Sequence, residues 1–312
     1  MTKYFVTGGA GFIGSHLVER LVADGQDVTV FDDFSTGRME NIAHLEGRGL
    51  TVIEGDVRNA KAVAKAMKGV HFVFHHAALP SVARSVEEPL ETHATNVGGT
   101  LNVLEAARDA KRTVKRVVYA SSSAVYGDTP TLPKVETMAT QPLSPYAVSK
   151  LAGEHYCRAY TVNYGVETVA LRYFNVFGPR QDPESPYAAV IPLFVKALLG
   201  RAKPVVFGDG KQTRDFTHVD NVVEANLAAC TAAKAPGNVF NIAGGSRVTI
   251  SGLANMIGEI LEVEREPRLK PARSGDIRHS LADISRAEEF LAYRVRVNLR
   301  EGLAKTVAWY RG

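Results

Sequence analysis

Two cysteines in 312 residues, Cys157 and Cys230, fall in different regions on predicted helices, too few and too far apart for a disulfide framework. They suit a reducing compartment as packed thiols. Long apolar runs are also missing: the longest, Ala188 to Leu199, is interrupted by Pro192 and Lys196, which argues against a membrane-spanning helix. No basic leader or cleavage site precedes the first strand, so a cytoplasmic location is expected. Lys and Arg exceed Asp and Glu by 37 to 33 and the pI is 9.0, yet no basic run is interleaved with aromatics, so nucleic acid is not an expected partner. Repeats and low-complexity segments are absent as well. What remains is ordinary globular usage, 45% hydrophobic with a mean hydropathy of -0.08, and enough chain for one large core and a smaller appendage.

The first strong signal is Thr7-Gly-Gly-Ala-Gly-Phe-Ile-Gly14. Lys3 to Val6 reads as a buried strand and Phe12 to Val22 carries apolar residues at helical spacing, which puts Gly8, Gly11 and Gly14 on a strand-to-helix turn. Small residues there let backbone amides approach a pyrophosphate at the helix N-terminus, where the dipole favours anions. A second strand, Val28 to Phe31, ends at Asp32, whose carboxylate would accept the two ribose hydroxyls of an adenine nucleotide. A carboxylate repels a 2'-phosphate, so the expected cofactor is NAD rather than NADP.

Strand and helix signals alternate from there: Thr51 to Ile53, Asn59 to Met67, His71 to Phe74, Leu90 to Ala110, Arg116 to Ala120, Tyr146 to Tyr164 and Glu167 to Leu171. Such units predict an α/β fold with a doubly wound parallel sheet covered on both faces. Ligands bind beyond the carboxyl ends of such strands, where Gly8 to Gly14, Asp32, Asp56-Val57, Ala77-Ala78, Ser121 to Ser123 and Tyr173 to Asn175 fall. Beyond residue 175 Gly and Pro break the pattern into short pieces, with further helices at Asp220 to Ala233, Ser251 to Leu261 and Leu299 to Tyr310, which suggests a smaller C-terminal lobe. His75-His76 is not read as a metal site, because neighbours on a strand face opposite ways.

Tyr146 and Lys150 share a helix face at i, i+4, which brings the ammonium near the phenol and near whatever the glycine loop holds. The pairing suggests redox chemistry on an alcohol. Further segments stand out: His76-Ala-Ala78, Asn96, the serine run before Val125-Tyr-Gly127, Leu171-Arg-Tyr-Phe-Asn-Val-Phe-Gly-Pro179, Arg214-Asp-Phe216 and Arg273-Ser-Gly-Asp276. With the glycine loop and Tyr146 to Lys150, they make the chain resemble the extended short-chain dehydrogenase/reductase family in its nucleotide-sugar branch, most closely the UDP-hexose 4-epimerases and, among these, those acting on UDP-N-acetylglucosamine.

The resemblance implies a Rossmann domain over residues 1–175, with some later segments returning to it, and a UDP-sugar-binding lobe mainly over 176–312. It implies that NAD lies against Gly8, Gly11, Phe12, Ile13, Gly14, Asp32, Asp33, Asp56, Val57, Ala77, Ala78, Asn96, Tyr146, Lys150 and Tyr173. Hydride loss from C4 of a sugar requires that the 4-hydroxyl lose its proton, so a base is needed near neutral pH. A free phenol titrates at about 10, and a neighbouring ammonium and a cationic nicotinamide both favour its phenolate. Tyr146 is therefore the expected base and Lys150 its tuner. Register from Tyr126 picks Ser122 as the third member and register from Tyr146 picks Ser121; both stay open. Where 4,6-dehydratases of the family carry Asp-Glu, this chain has Ser123 and Ala124, which cannot drive elimination, so return of the hydride on the other face leads to the C4 epimer.

By the same resemblance the UDP-sugar would touch Ser122, Ser123, Asn175 and Val190, with Arg214 and Arg273 on the diphosphate and Asp276 on the uridine ribose. Guanidinium forks suit phosphate, and a surface ion pair is the lesser alternative for either arginine taken alone. Ser280 stands near C2 of the hexose, where a small residue admits an acetamido group; the segment Tyr173 to Pro183 with Tyr187 to Pro192 also favours N-acetylhexosamines. UDP-glucose remains open as a substrate, as does UDP-glucuronate. In relatives the two long helices pair across a two-fold axis, so a homodimer is expected.

Overall fold

A computed structural model of the chain describes residues 1–184, 189–272 and 277–312. Seven strands form one parallel sheet: β1 (Lys3–Thr7), β2 (Asp27–Asp32), β3 (Leu50–Glu54), β4 (Phe72–His75), β5 (Arg116–Ser122), β6 (Thr168–Tyr173) and β7 (Asn238–Ile242). Their spatial order is β7-β6-β5-β4-β1-β2-β3. Strand order reverses between β1 and β4, which opens a crevice at their carboxyl ends, the place such sheets offer to a dinucleotide.

Both faces are covered, because strands of Val, Ile, Phe and Ala bury both sides of a sheet. One face packs Val6, Val30, Phe74, Leu171 and Phe240 against α1 (Phe12–Ala23) and the helix Val219–Thr231. The other packs Phe5, Phe31, Val73, Val117 and Tyr119 against α2 (Ala60–Ala66), α3 (Gly99–Asp109) and α4 (Pro145–Tyr164). A separate cluster, including Phe177, Phe194, Val206, Phe216, Leu253 and Leu303, forms the core of the C-terminal lobe.

Three differences from the sequence reading have physical causes. The segments beyond residue 175 that return to the sheet domain are Val219–Thr231, β7 and Ser285–Leu291; β7 escaped notice because Asn238 and Asn241 interrupt its apolar pattern. The helix expected from Leu90 to Ala110 is present from Pro89 to Asp109, unbroken but with a π turn at Ala94–Gly98 before α3. Pro192 does not end the apolar run, because it lies in the first turn of the helix Val190–Leu199, where no backbone donor is needed.

Candidate active site

β1 delivers the chain to Gly8, whose φ of 69° is left-handed and whose added Cβ would lie 2.7 Å from the Ala77 nitrogen. Gly14 is packed still more tightly: a Cβ there would fall 2.1 Å from the Gly8 oxygen. These approaches fold the loop under the N-terminus of α1, with Gly11 as the residue before its first turn. A Cβ on Gly11 would meet only the Gly8 oxygen at 3.2 Å and would otherwise occupy the mouth of the cleft. The first N–H groups of an α-helix have no partners within it, so the cradle presents donors to an anion.

At the end of β2, Asp32 accepts the Ala10 and Phe34 N–H groups, both at 2.9 Å, and burial pushes its carboxyl up. Asp33 beside it is exposed and accepts the Ser35 N–H at 3.0 Å. Glycine cradle, helix N-terminus and carboxylate together fit a dinucleotide whose ribose carries free hydroxyls. A cleft of about 210 Å3 runs from this loop to Tyr146 and Lys150, lined also by Phe12, Ile13, Val57, Ala77, Ala78 and Tyr173.

Asp56 and Asn96 are not among the residues that line it. Asp56 pairs with the Arg58 guanidinium, which holds its carboxyl below the usual range. Asn96, buried in the π turn, accepts the Leu79 N–H at 2.8 Å and donates to the Leu79 oxygen and to Ser149 Oγ. It shapes the wall from behind, and a π turn inside a helix is a frequent mark of a functional region. The wall also contains Gly55, His76, Leu79, Pro80 and Thr95, which the sequence reading did not assign to the cofactor. A buried brace lies beneath: Thr7 Oγ1 and Thr100 Oγ1 engage the two ring nitrogens of His75 at 2.7 and 2.9 Å. Burial lowers His75 and His76 to about 3, so both imidazoles are neutral. The two rings separate as strand alternation requires, His75 toward Tyr119 and His76 stacked on Tyr173.

Helix α4 starts with Ser144 accepting the Ala147 N–H at 3.1 Å and with Pro145 in the first position, both good N-terminal signals. Its buried face carries Tyr146 and Lys150 over the end of β5. Lys150 Nζ donates to the Ala120 oxygen at 2.8 Å and sits 5.9 Å from the Tyr146 ring centroid. Desolvation pulls its ammonium down to about 8. Desolvation also pushes the Tyr146 phenol up, while the Ser122 hydroxyl bound to it works the other way. Burial dominates for the phenol, which leaves a role for both cations expected from the sequence, the Lys150 ammonium and a cationic nicotinamide.

The three serines separate. Ser121 lines the cleft beside Tyr146 and its Oγ donates to Glu154; Ser122 Oγ accepts the Ala124 N–H at 3.2 Å and acts to lower the Tyr146 phenol; Ser123 opens a 3-10 turn. Nothing acidic follows them, since Ala124 is next.

A second cleft of about 270 Å3 opens in the C-terminal lobe and contains Asn175, Val190 and Arg214 from the sequence reading. Asn175 Nδ2 donates to the Asp215 oxygen at 2.8 Å, and Arg214 Nη1 to the Thr213 oxygen at 2.9 Å. Gln212, Phe207 and Phe216 also line it and were missed, because they lie in a stretch dominated by turns. Ser280 does not line it, but its N–H donates to the Thr213 oxygen, next to Arg214. Arg273, Asp276 and Tyr187 lie outside the described residues.

Comparisons with known proteins agree with this geometry. The family described as the NAD dependent epimerase/dehydratase family matches residues 4–243. A UDP-glucose 4-epimerase of Mycolicibacterium smegmatis is 41% identical over 316 residues, covering 99% of this chain and 98% of that protein. Among solved structures, a UDP-N-acetylglucosamine 4-epimerase from Methanobrevibacter ruminantium M1, in complex with UDP-N-acetylmuramic acid, superposes with a TM-score of 0.95 at 41% identity, covering 99% and 98% of the two chains. A UDP-glucuronic acid 4-epimerase from Bacillus cereus, in complex with UDP-glucuronic acid and NAD, superposes at 0.91 with 33% identity and 99% coverage of both.

Proposed function

The chain belongs to the NAD dependent epimerase/dehydratase family and its cofactor is NAD, and from that premise we propose that it inverts C4 of a UDP-linked hexose, with UDP-N-acetylglucosamine and UDP-N-acetylgalactosamine as preferred substrates and UDP-glucose and UDP-galactose also accepted. The observation that carries this reading is the meeting in one cleft of Tyr146, Lys150 and the nucleotide loop, beside a serine run with no acid after it. Bound NAD supplies the acceptor for the C4 hydride and then its donor.

Tyr146 takes the proton of the 4-hydroxyl as the C4 hydride departs, and returns it when the hydride comes back. Ser122 donates a hydrogen bond to the oxygen at which charge changes, and Lys150 offsets the negative charge of the phenolate. Ser123 and Ala124 offer no group to protonate a C6 hydroxyl or to take a proton from C5, so the 4-keto sugar has no exit by elimination. It turns over in the cleft and is reduced on its other face, with no net oxidation.

Arg214 holds the diphosphate in the second cleft and Asn175 the diphosphate-sugar, while Arg273 is assigned to the diphosphate and Asp276 to the uridine ribose by the family resemblance alone. Ser280 leaves room for an acetamido group at C2. The likeness to a UDP-N-acetylglucosamine 4-epimerase at 41% identity supports the amino sugars over glucuronate, for which the related enzyme stands at 33%. Leu90, Leu143 and Val148 are 85, 68 and 52% exposed around one apolar hollow. They support pairing of the long helices with those of a second copy.

Purified protein mixed separately with UDP-N-acetylglucosamine, UDP-glucose and UDP-glucuronate, and followed by proton NMR of the anomeric signals, tests the reading. Conversion to the C4 epimer is expected, fastest for the first; Tyr146→Phe should retain NAD and lose most turnover. A parent protein that binds NAD and converts none of the three would make it a non-catalytic relative and refute the proposal.

A further inference from the structure

One buried ion pair in the molecule has no part in the mechanism above. Glu154 lies one helical turn beyond Lys150, so Tyr146, Lys150 and Glu154 are stacked at i, i+4 and i+8 on the face of α4 that covers β5 and β6. Its carboxylate accepts Arg172 Nε at 2.9 Å and Nη2 at 2.7 Å, a two-pronged contact with both side chains about 5% exposed or less. The same Oε1 also accepts the Ser121 hydroxyl. Register explains the meeting, since Ser121 pairs with Arg172 across β5 and β6, and Ser122 with Tyr173. On its other side Arg172 lies over the Tyr126 ring, 4.7 Å from its centroid, and Tyr126 OH donates to Asn241 Oδ1 at 2.7 Å. The end of β5 and the turn after it are thereby fixed from three directions.

A serine hydroxyl has one proton to give. Ser121 spends its proton on Glu154. Ser122 accepts from the Ala124 N–H, which leaves its own proton to give. The geometry points to Glu154 as a positioning residue that decides which serine acts: by taking the Ser121 hydroxyl and clamping Arg172, it leaves Ser122 as the donor that meets Tyr146 and the reacting oxygen. This inference rests on the proposed epimerase reading, and it adds a residue that touches neither substrate nor cofactor. Tyr119 packs in the same layer, its hydroxyl against Gly153, so α4 cannot slide to compensate when the clamp is altered.

The test compares Glu154→Gln, Ser121→Ala and Ser122→Ala with the parent, each loaded with NAD and assayed with the UDP-sugar the parent converts fastest. Glu154→Gln is expected to lower kcat at least tenfold with KM and bound NAD within twofold, and to move the rising limb of the kcat profile to higher pH, because the Ser122 hydrogen bond to Tyr146 is loosened. Ser122→Ala should lower kcat at least ten times more than Ser121→Ala. A role confined to folding would lower the fraction of NAD-loaded protein and leave kcat per bound NAD and its pH profile as in the parent; that result overturns the inference. So does a Ser121→Ala loss equal to or larger than that of Ser122→Ala, a comparison that leaves the ion pair in place and holds even where Glu154→Gln fails to fold. The two readings fail separately: a parent without turnover, or one indifferent to Tyr146→Phe, sinks the epimerase proposal, whereas a Tyr146-dependent parent with a parent-like Glu154→Gln sinks only the role of Glu154.

Discussion

Replacing Lys150 with Met should make the protein lose activity and become less sensitive to pH in its stability. The ammonium is wholly enclosed and burial alone pulls it from its ordinary 10.5 to about 8. At pH 7 that lowering corresponds to about 3 kcal/mol of destabilisation, because the unfolded chain holds the charge more easily than the native one. The donor bond from Nζ to the Ala120 oxygen offsets about 1 to 3 kcal/mol of it. Lys150→Met should therefore be about as stable as the parent at pH 7, or more so.

The pH dependence is the sharper readout. Between pH 8 and 10.5 the unfolded chain carries a proton on Lys150 that the native chain has released, so native stability rises with pH across that window. By pH 9.5 the destabilisation has fallen to about 1 kcal/mol, and the parent should gain about 2 kcal/mol on the variant between pH 7 and 9.5. Urea unfolding of both proteins after removal of nucleotide, at the two pH values, measures the difference with all other titrations cancelled. A stability gap that does not change with pH, or that moves against the parent as pH rises, would show that the ammonium is not desolvated as its surroundings require.

Three more outcomes follow from particular contacts. Gly14→Ala places a methyl 2.1 Å from the Gly8 oxygen and 2.9 Å from Gly8 C and Gly9 Cα, all backbone, so the purified variant should retain less than a tenth of the parent's NAD by absorbance and melt several degrees lower. Asp32→Ser removes the carboxylate at the end of β2, and the preference for NAD over NADP in a binding titration should fall at least tenfold; an unchanged ratio would place discrimination elsewhere. Ser280→Tyr should suppress turnover of the N-acetylated substrates while sparing UDP-glucose, and an unaltered preference would remove Ser280 from substrate choice.

The glycine loop, Asp32 and the alternation of strands and helices were legible because each rests on local chemistry: a turn that tolerates no Cβ, a carboxylate at a strand end, a period of two or 3.6. Tyr146 and Lys150 were legible by helical spacing. The choice between Ser121 and Ser122 was not, since a shift of one residue on a strand exchanges its faces and the length of the loop 127–143 leaves the count ambiguous. The structure separates them through Glu154 and Arg172, two residues eighteen apart that no short motif joins. Leu79 could not be read from the sequence as part of the cleft wall, because an apolar wall residue has the same signature as a core residue. β7 was hidden by Asn241, a buried polar side chain whose amide donates to the Lys134 and Asp283 oxygens and whose N–H donates to Glu136.

The electrostatics of the cleft also explain why base and tuner need each other. Burial opposes charge on both, raising the Tyr146 phenol and lowering the Lys150 ammonium, so each alone is pushed toward its neutral form. Transfer of one proton away from the phenol creates an anion beside a cation that is already present, and the two then stabilise one another in surroundings that screen poorly. Lys150 is anchored to Ala120 rather than to the phenol, which keeps its charge close without a direct ion pair that would lock the phenolate and blunt its basicity. A second positive charge beyond the phenol, of the kind an oxidised nicotinamide carries, would complete the balance. On the mechanism proposed above, these opposing effects would keep Tyr146 protonated until a second cation is beside it, which would tie the base to the oxidised form of the dinucleotide.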